Sequence, residues 1–462
     1  MSPFDATIVN LALPAMGASL GVSVSGLIWI PTVYLVAIAS LETALGRLAD
    51  VKGKRRLLVS ALATFVAGSL IASLSMNIAQ LILARIIQGI GAAGMDSAGN
   101  ALIADSFPLQ RRGRAFGINQ MVVYLGITSG PLAGGVLVQT LGWRSIFYIN
   151  IPIGIVAIAL SLLFIKEESL SQKVVEQRFD ILGSASLAAF LTTLLAIFNE
   201  SQLNLSTLGN EILEAACVLS FLAFVFIEAK VAKAPLLDLS LFTHNRLFAA
   251  GISTSLMNYL TVYGTFFVLS IYLQSILGYS PVNAGLILLS QAVMMMVSSP
   301  IAGFLSERIS ARVLSSLGMG LKSVAFFFLA SLNVNSPTEY IVVSLLVIGI
   351  GHGFFSSPNV GSVISSVGAD RFGLASGALG TIRTSGQSIG IALLGSVAAS
   401  RLPAGALLLN NSSAVISGAL ASEFTAGLSI AFYIASGICA IGVFTSLMRG
   451  KKQAQEGSSA LP

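Results

Sequence analysis

The chain has 462 residues, of which 55% are hydrophobic and only 10% charged, whereas an average soluble domain is about 25% charged. This composition excludes a soluble enzyme, a disordered protein and a disulfide scaffold, and it indicates a polytopic α-helical membrane protein. A membrane β-barrel is excluded too, because its strands would be short and alternating in polarity. The net charge of +6 comes mainly from loops and does not indicate nucleic-acid binding.

Fourteen apolar segments are long enough to be membrane-spanning helices, and we number them span 1 to span 14. Their predicted ranges are 1–20, 26–48, 56–76, 78–104, 113–138, 143–165, 179–200, 210–229, 247–275, 281–305, 311–332, 338–365, 372–400 and 424–448. The predicted fold class is therefore an all-α polytopic membrane protein with 14 transmembrane helices. Only four residues precede Asp5, which we interpret as a mid-helix residue, so we expect helix 1 to start upstream or to be truncated.

Lys and Arg predict the orientation of these spans. Twenty of the 25 basic residues lie in the loops after even-numbered spans or in the C-terminal segment that begins at Arg449. The loops after odd-numbered spans contain only Arg144 and Arg401. Because cytoplasmic loops are rich in Lys and Arg, we expect the even-numbered loops and the C-terminus to be cytoplasmic, in a cell (plasma or inner) membrane.

Two loop signatures recur with a shift of eight spans. Gly46–Arg55 is similar to Gly303–Arg312, and Arg111–Gly117 is similar to Asp370–Gly377. Chance similarity between short Gly/Arg loops is the alternative, but both matches share one register. Two related six-helix bundles with spans 7 and 8 inserted between them are typical of a secondary transporter. The predicted divisions are residues 1–165, 166–246 (linkers and inserted helices) and 247–462.

Six segments, in order, resemble signature motifs of the major facilitator superfamily and, within it, of the fourteen-helix drug:proton antiporters. The segments are FDATIVNLALP (Phe4–Pro14), GRLADVKGKRR (Gly46–Arg56), LILARIIQGIGAAG (Leu81–Gly94), GITSGPLAGG (Gly126–Gly135), GWRSIFYINIPIG (Gly142–Gly154) and TIRTSGQSIGIA (Thr381–Ala392). The resemblance covers nearly the whole chain. It implies a multidrug-efflux transporter that is driven by an ion gradient.

Two of these motifs imply conformational devices. The second segment resembles motif A, and the fourth resembles the antiporter motif C, whose glycines allow close helix packing and whose proline kinks the helix. The motif A residues, with their expected partners at the next cytoplasmic turn, are Gly46, Asp50, Gly53, Arg55, Asp105 and Arg112. The motif C residues are Gly126, Gly130, Pro131, Gly134 and Gly135. Plain packing is the alternative for both.

Ionisable residues inside spans are costly in a bilayer and usually mark a pathway or a proton relay. Those predicted here for proton coupling or substrate binding are Asp5, Glu42, Arg85, Asp96, Arg383 and His352. A structural tie or a satisfied hydrogen bond is the alternative for each, and exposure to water in the outer funnel is a further alternative for Asp96. Lys322 in span 11 receives no predicted role.

Arg85 and Asp96 share one face of span 4 but lie roughly 16 Å apart along its axis, so each needs a partner elsewhere. Asp5 is the candidate partner of Arg85, which matches the proton-coupling arrangement that the resemblance implies. Polar, aromatic and methionine side chains on the same set of spans are predicted to line a cavity, although lipid-facing positions are the alternative for many of them. They are Asn10, Tyr34, Gln88, Tyr124, Asn258, Tyr259, Met295 and Gln387.

The sequence thus predicts a proton-coupled antiporter that exports lipophilic, often cationic, compounds by alternating access. A specific metabolite exporter of the same fold and a non-transporting membrane receptor or scaffold are the alternatives. No G-x-x-x-x-G-K-[ST] segment is present, so the proton gradient is the expected energy source, without a cofactor, a metal or catalysis. We expect small substrates and membrane lipids as partners, no nucleic acid, and a monomer.

Overall fold

A computed structural model describes residues 1–107, 109–165, 180–198, 206–232, 235–237, 239–306, 308–367, 372–402 and 418–449. All regular structure in these ranges is helical. The helices are α1 (Ser2–Leu20), α2 (Val24–Lys52), α3 (Lys54–Ser73), α4 (Ile78–Ser106), α5 (Leu109–Leu141), α6 (Ser145–Tyr148), α7 (Asn150–Phe164), α8 (Ile181–Phe198), α9 (Thr207–Phe226), α10 (Leu239–His244), α11 (Arg246–Ile271), α12 (Pro281–Leu305), α13 (Ala311–Leu329), α14 (Thr338–Ser365), α15 (Phe372–Ala399) and α16 (Gly418–Leu447). Short π-helical turns, Ile227–Val231 and Tyr272–Ile276, extend α9 and α11.

Twelve helices in the described part of the chain are long and apolar enough to cross a membrane, which confirms a polytopic α-helical membrane protein. Helices also occupy the predicted positions of spans 1 and 13, as α1 and α15, but these two do not meet the same hydropathy criterion. Polar residues such as Asp5 and Asn10 in α1, and Arg383 and Gln387 in α15, lower their mean hydropathy. The count of fourteen spans therefore stays a prediction.

The helix packing follows one pattern twice. In the first half, α2 and α3 both pack against α4, α1 packs against α5, and α3 packs against α7. In the second half, α12 and α13 both pack against α14, α11 packs against α15, and α13 packs against α16. The halves meet along two seams, α2 against α15 and α5 against α12. Each seam is the counterpart of the other when span numbers are shifted by eight.

The inserted helices lie beside one seam. Helices α8 and α9 pack against each other, and α8 also contacts α2 and α15. Large apolar side chains on α9 are exposed, including Leu208, Ile212, Leu219 and Phe226. In a membrane, such a surface faces lipid rather than water.

Small residues on α5 set its distance from both halves. A side chain at Gly130 would collide with Thr7 of α1, and one at Gly134 would meet Ile8 at 2.9 Å. On the opposite side, a Cβ at Gly135 would lie 2.6 Å from the carbonyl of Pro281 at the start of α12. The close approach that small residues permit between membrane helices thus occurs on two faces of one helix.

Two local features differ from the predicted spans. In span 6 the backbone keeps helical angles at Ile149 (φ −61°, ψ −28°), but one hydrogen bond of the helix is missing there, because Pro152 has no backbone N–H to donate to the carbonyl of the residue four positions earlier. The short helix α10, between spans 8 and 9, was not predicted, since six residues carry too little periodicity to be detected.

Arg449 also differs from its predicted setting. It was counted among the basic residues of the C-terminal segment, but it is only 2% exposed. Its guanidinium donates hydrogen bonds to the side chains of Asn359 and Ser315. Burial lowers the pKa of Arg449 to about 10. Arg449 therefore joins α16 to α14 and α13, and its value as an orientation signal is weaker than that of an exposed loop arginine.

Candidate functional site

A buried ion pair lies at the centre of the first half of the molecule. Nη1 of Arg85 on α4 lies 2.5 Å from Oδ2 of Asp5 on α1, and both side chains are fully buried. The other carboxylate oxygen of Asp5 accepts a hydrogen bond from Nδ2 of Asn150 at 2.7 Å. The sequence predicted Asp5 as the partner of Arg85. It did not predict Asn150, although a lone amide at the start of an apolar helix was a visible signal.

Neutral groups surround the Arg85 guanidinium on its remaining sides. Its Nε donates to the carbonyl of Ile30 at 3.2 Å, and its Nη1 also donates to Oε1 of Gln88 at 2.9 Å. The ring of Tyr34 lies 4.0 Å from the guanidinium carbon, within the range of a cation–π interaction. Gln88 donates in turn to Ser69 of α3 at 2.7 Å. Helices α1, α2, α3 and α7 therefore hold the side chain of Arg85 in one position, either by direct contact or through Asp5 and Gln88.

Hydrogen bonds lead from Tyr34, whose ring contacts Arg85, to Asp96. The hydroxyl of Tyr34 lies 3.2 Å from the hydroxyl of Ser2, and Ser2 donates to Oδ2 of Asp96 at 3.3 Å. Asp96 itself is half-buried. Arg85 and Asp96, which are too distant on α4 to pair directly, are thus connected through side chains of α1 and α2. A buried group and a half-exposed carboxylate share one polar network.

A second ion pair crosses the seam between α2 and α15. Nη2 of Arg383 lies 4.0 Å from Oε1 of Glu42, and the Arg383 side chain is 30% exposed. Next to this pair on the same two helices, the hydroxyls of Thr43 and Thr381 lie 3.3 Å apart. The backbone carbonyl of Glu42 also accepts a hydrogen bond from Ser97 of α4. Two of the predicted residues therefore join the two halves of the molecule.

In the second half, His352 belongs to a buried polar cluster. Nδ2 of Asn258 on α11 lies 3.1 Å from Nδ1 of His352 on α14. On its other side, Asn258 accepts hydrogen bonds from Nζ of Lys322 on α13, at its side-chain oxygen (2.9 Å) and at its carbonyl (3.1 Å). Thr261 accepts the third bond of Lys322 at 2.8 Å. The sequence identified Lys322 as unusual but could not locate its partners.

Tyrosine and serine hydroxyls connect this cluster to the seam between α5 and α12. Tyr259 packs edge-on against His352 with ring centroids 5.6 Å apart, and its hydroxyl lies 3.5 Å from Ser356. The Ser356 hydroxyl lies 3.3 Å from that of Tyr124 on α5, which accepts a bond from Ser299 on α12. Tyr124 and Tyr259, both predicted to line a cavity, thus meet between the halves.

The remaining predicted lining residues are buried. Asn10 has no hydrogen-bond partner for its side-chain amide among the described residues, while its carbonyl accepts a bond from Ser270 of α11 at 2.5 Å. Gln387 is 7% exposed and Met295 is 1% exposed. Gln88 and Asn258 bond to neighbouring helices of their own halves. Their predicted role as lining residues stays a prediction.

Motif A forms the corner between α2 and α3. Gly53 has a φ of 94°, a backbone conformation that favours glycine. The next residue, Lys54, pairs with Asp105 at the end of α4, and Arg55 donates to the carbonyl of Leu162 on α7 at 2.8 Å.

Among the other motif A residues, Gly46 lies against Ser97 of α4. The side chains of the two other predicted residues, Asp50 and Arg112, lie outside the described part of the structure.

Comparisons with known proteins agree with this architecture. A model of the Major Facilitator Superfamily matches residues 1–391. The chain is 30% identical to the riboflavin transporter RibZ of Clostridioides difficile (strain 630), over 98% of this chain and 95% of that protein. It is 32% identical to the multidrug resistance protein Stp of Mycobacterium tuberculosis (87% and 74%) and 31% identical to the methylenomycin A resistance protein of Bacillus subtilis (86% and 84%).

A solved structure supports the same fold. The inward-facing, occupied form of a bacterial homologue of the human lysosomal transporter Spinster superposes with a TM-score of 0.64. The match covers 97% of this chain and 93% of that one, at 15% sequence identity. At this identity the likeness concerns the fold alone.

Proposed function

The chain belongs to the Major Facilitator Superfamily, and we propose that this transporter is a proton-coupled antiporter that exports lipophilic, often cationic, compounds by alternating access. It is a transporter and not an enzyme. Relatives named as drug or antibiotic resistance and export proteins support the substrate class. The observation that carries the coupling is the fully buried pair of Asp5 and Arg85.

The proposed architecture has fourteen spans. The packing pattern repeats after eight spans, so that α1 packs against α5 as α11 packs against α15, and this supports counting both α1 and α15 as spans. Residues 1–165 and 247–462 then form two six-helix bundles, and the inserted helices lie within 166–246. We propose a monomer in the cell membrane, with the C-terminus in the cytoplasm as the basic loops predict.

Protonation of Asp5 is the proposed coupling step. An added proton makes the carboxyl neutral and removes its attraction to Arg85, which leaves a buried guanidinium held only by neutral acceptors. Breaking a buried pair by removing one charge is strongly unfavourable. Protonation of Asp5 therefore destabilises this arrangement of the helices around Arg85 relative to one in which the guanidinium is compensated. Asp5, Arg85 and Asn150 lie on three different helices, α1, α4 and α7, and a change at the pair is transmitted to all three.

The substrate site is proposed between the two halves. Glu42 and Asp96 supply negative charge there, and the half-exposed guanidinium of Arg383 offsets part of it. A cationic compound with an aromatic or apolar body would contact a carboxylate together with Tyr124 or Tyr259. Because the network from Asp96 reaches Tyr34 beside Arg85, a bound cation and the proton site are able to influence each other.

Transport in proteoliposomes tests the proposal. With wild-type protein, an imposed pH gradient should drive accumulation of ethidium, and ethidium added first should drive proton movement in the opposite direction. Asp5→Asn keeps the size of the side chain but has no titratable group, and it should abolish both. Accumulation that ignores the pH gradient in the wild type would contradict proton coupling.

A specific metabolite exporter is the second candidate, favoured by the likeness to a riboflavin transporter over 98% of the chain. The same proteoliposomes distinguish the two candidates. Export of several unrelated cationic dyes supports the drug exporter, whereas export of riboflavin alone supports the narrower activity. Failure of every tested compound would favour the non-transporting receptor or scaffold.

A further inference from the structure

Lys322 is a fully buried lysine whose amino group has no carboxylate partner among the described residues. It lies at the middle of α13, with a side chain 0% exposed. An unpaired charge inside a membrane protein costs several kcal/mol and is rare unless it has a function. By contrast, the buried Arg85 has Asp5 at 2.5 Å.

The surroundings of Lys322 fit a charged ammonium. An ammonium group has three N–H donors, and three acceptors lie within 3.1 Å: the carbonyl and Oδ1 of Asn258 and the hydroxyl of Thr261. All three belong to α11, so the ammonium ties α13 to a helix at the junction of the halves. A neutral amine has only two N–H donors, and its lone pair would face one of these acceptors. Loss of the proton therefore weakens the contact between α13 and α11.

The titratable groups around Lys322 come from each neighbouring helix. His352 on α14 is one residue from Gly351, where an added Cβ would lie 2.7 Å from Cγ of Lys322. Cys439 on α16 bonds to Thr261 at 3.6 Å, and Tyr259 on α11 packs against His352.

On α13 itself, the nearest charged contact is at Ser315, two helical turns from Lys322, which accepts a hydrogen bond from Arg449. None of these groups supplies a negative carboxylate, so the charge of Lys322 is not compensated by a fixed acid in the described structure.

Hydrogen bonding makes His352 and Lys322 mutually dependent. Asn258 accepts from Lys322 with its oxygen, and its amide nitrogen therefore donates to Nδ1 of His352. A histidine that accepts at Nδ1 is neutral and carries its proton on Nε2. A second proton on His352 would end this bond and would place two positive charges on either side of Asn258. The cluster is thus arranged for one positive charge.

We propose that Lys322 is a second reversibly protonated site of the transporter, located in the second half and coupled to the junction of the halves through Asn258, His352 and Tyr259. This inference rests on the proposed proton coupling but places an additional proton outside the pair of Asp5 and Arg85. On release, the proton goes to bulk water, and Lys322 remains as a neutral amine. The change reaches α5 through Ser356 and Tyr124.

Thermal unfolding of the purified full-length protein in detergent, without substrate, tests whether Lys322 titrates. The midpoints of wild type and Lys322→Met are measured from pH 5 to pH 11. We expect the difference between the two midpoints to change with pH through one titration step, because Lys322 binds its proton with a different affinity in the folded and in the unfolded protein, whereas methionine binds none. Ser323→Ala, which alters the adjacent bond to Ser436 of α16, is the matched control. It keeps Lys322, so the difference between its midpoint and that of Lys322→Met should show the same step as the wild type does.

Two further variants keep the test decisive if Lys322→Met folds poorly. Lys322→Arg retains a permanent positive charge, so the difference between its midpoint and the wild-type midpoint should show the same step as for Lys322→Met, while Thr261→Val, which removes one acceptor of the charged form, should move the titration of Lys322 toward lower pH. A midpoint difference from wild type that stays flat with pH for both Lys322 variants would overturn the inference, since Lys322 would then bind its proton as it does in the unfolded chain.

The outcome is separable from that of the proposed function. Asp5→Asn should keep the Lys322 titration step while losing gradient-driven ethidium transport. If the wild type shows the step but no proton-coupled transport, the proposed function fails and the lysine site stands. If the wild type transports ethidium with protons and Lys322→Met exchanges as many protons per ethidium as wild type, the role of Lys322 in the cycle is rejected.

Discussion

The two halves of the molecule share a packing pattern but bury their charge differently. In the first half, Arg85 is paired with Asp5, and the guanidinium is further held by Gln88 and Tyr34. In the second half, the acceptors of Lys322 within the described structure are neutral groups on α11. A repeat of backbone architecture therefore does not imply a repeat of chemistry. The first half contains a charge pair that one proton breaks, and the second contains a single charge that one proton creates.

The largest expected effect concerns the paired charge. Arg85→Met leaves the Asp5 carboxylate buried with Asn150 as its one polar side-chain partner among the described residues, and removing one member of a buried pair typically costs about 3–5 kcal/mol. We expect a clear fall in the thermal unfolding midpoint in detergent. The double variant Asp5→Asn/Arg85→Met should recover much of that loss, because no charge remains unpaired. Equal midpoints for the single and the double variant would contradict the account.

The glycine contacts provide a comparison in which the halves should behave alike. Gly130 of α5 leaves no room beside Thr7 of α1, and Gly390 of α15 leaves no room beside the carbonyl of Leu260 on α11. Gly130→Leu and Gly390→Leu should each destabilise the fold by about 1–3 kcal/mol through overpacking. Gly437→Ala on α16 is the control, since nothing lies within 4 Å of an added Cβ there. A loss at only one of the two contacts would show that the halves are packed differently.

The unpaired charge should be less costly to remove than the paired one. Lys322→Met leaves no charge behind, and the principal cost is the unsatisfied side-chain oxygen of Asn258, about 1–3 kcal/mol. Thermal unfolding near neutral pH should therefore show a smaller loss for Lys322→Met than for Arg85→Met. The reverse order would mean that Lys322 has a buried anionic partner.

The smallest expected effect on stability concerns the pair that joins the halves. Glu42 and Arg383 lie 4.0 Å apart, with Arg383 30% exposed, and partly exposed pairs contribute about 0–1 kcal/mol. Glu42→Gln should leave the unfolding midpoint nearly unchanged but weaken ethidium transport, because it removes negative charge from the proposed substrate site. Unchanged transport kinetics for a panel of cationic dyes would exclude Glu42 from that site.

The sequence predicted the long helices well because each is an apolar run bounded by polar or glycine-rich turns. The ends of spans 4, 10 and 12 differ from α4, α12 and α14 by no more than two residues. The pairing of Asp5 with Arg85 was also within reach, since two opposite charges in membrane spans have few alternatives. The irregular hydrogen bonding at Ile149 was not predicted, because residues 143–165 were assigned to one span.

Contacts between distant helices were beyond prediction from one sequence. Asn258 and Thr261 lie more than 60 positions before Lys322, and hydrophobic periodicity within a span carries no information about which polar groups face each other across helices. The buried setting of Arg449 was missed for the same reason, since Asn359 and Ser315 are on other helices. The predicted charges were found by their cost in a bilayer, but their partners required the fold.

Proton release on ligand binding tests the central claim most directly. Purified protein in weakly buffered detergent solution is mixed with ethidium, and the pH of the solution is followed with wild type and Asp5→Asn. The account predicts that ethidium causes proton release from the wild type and that Asp5→Asn binds ethidium while releasing fewer protons. Ethidium binding without proton release in the wild type, or equal release in both proteins, would contradict coupling through Asp5.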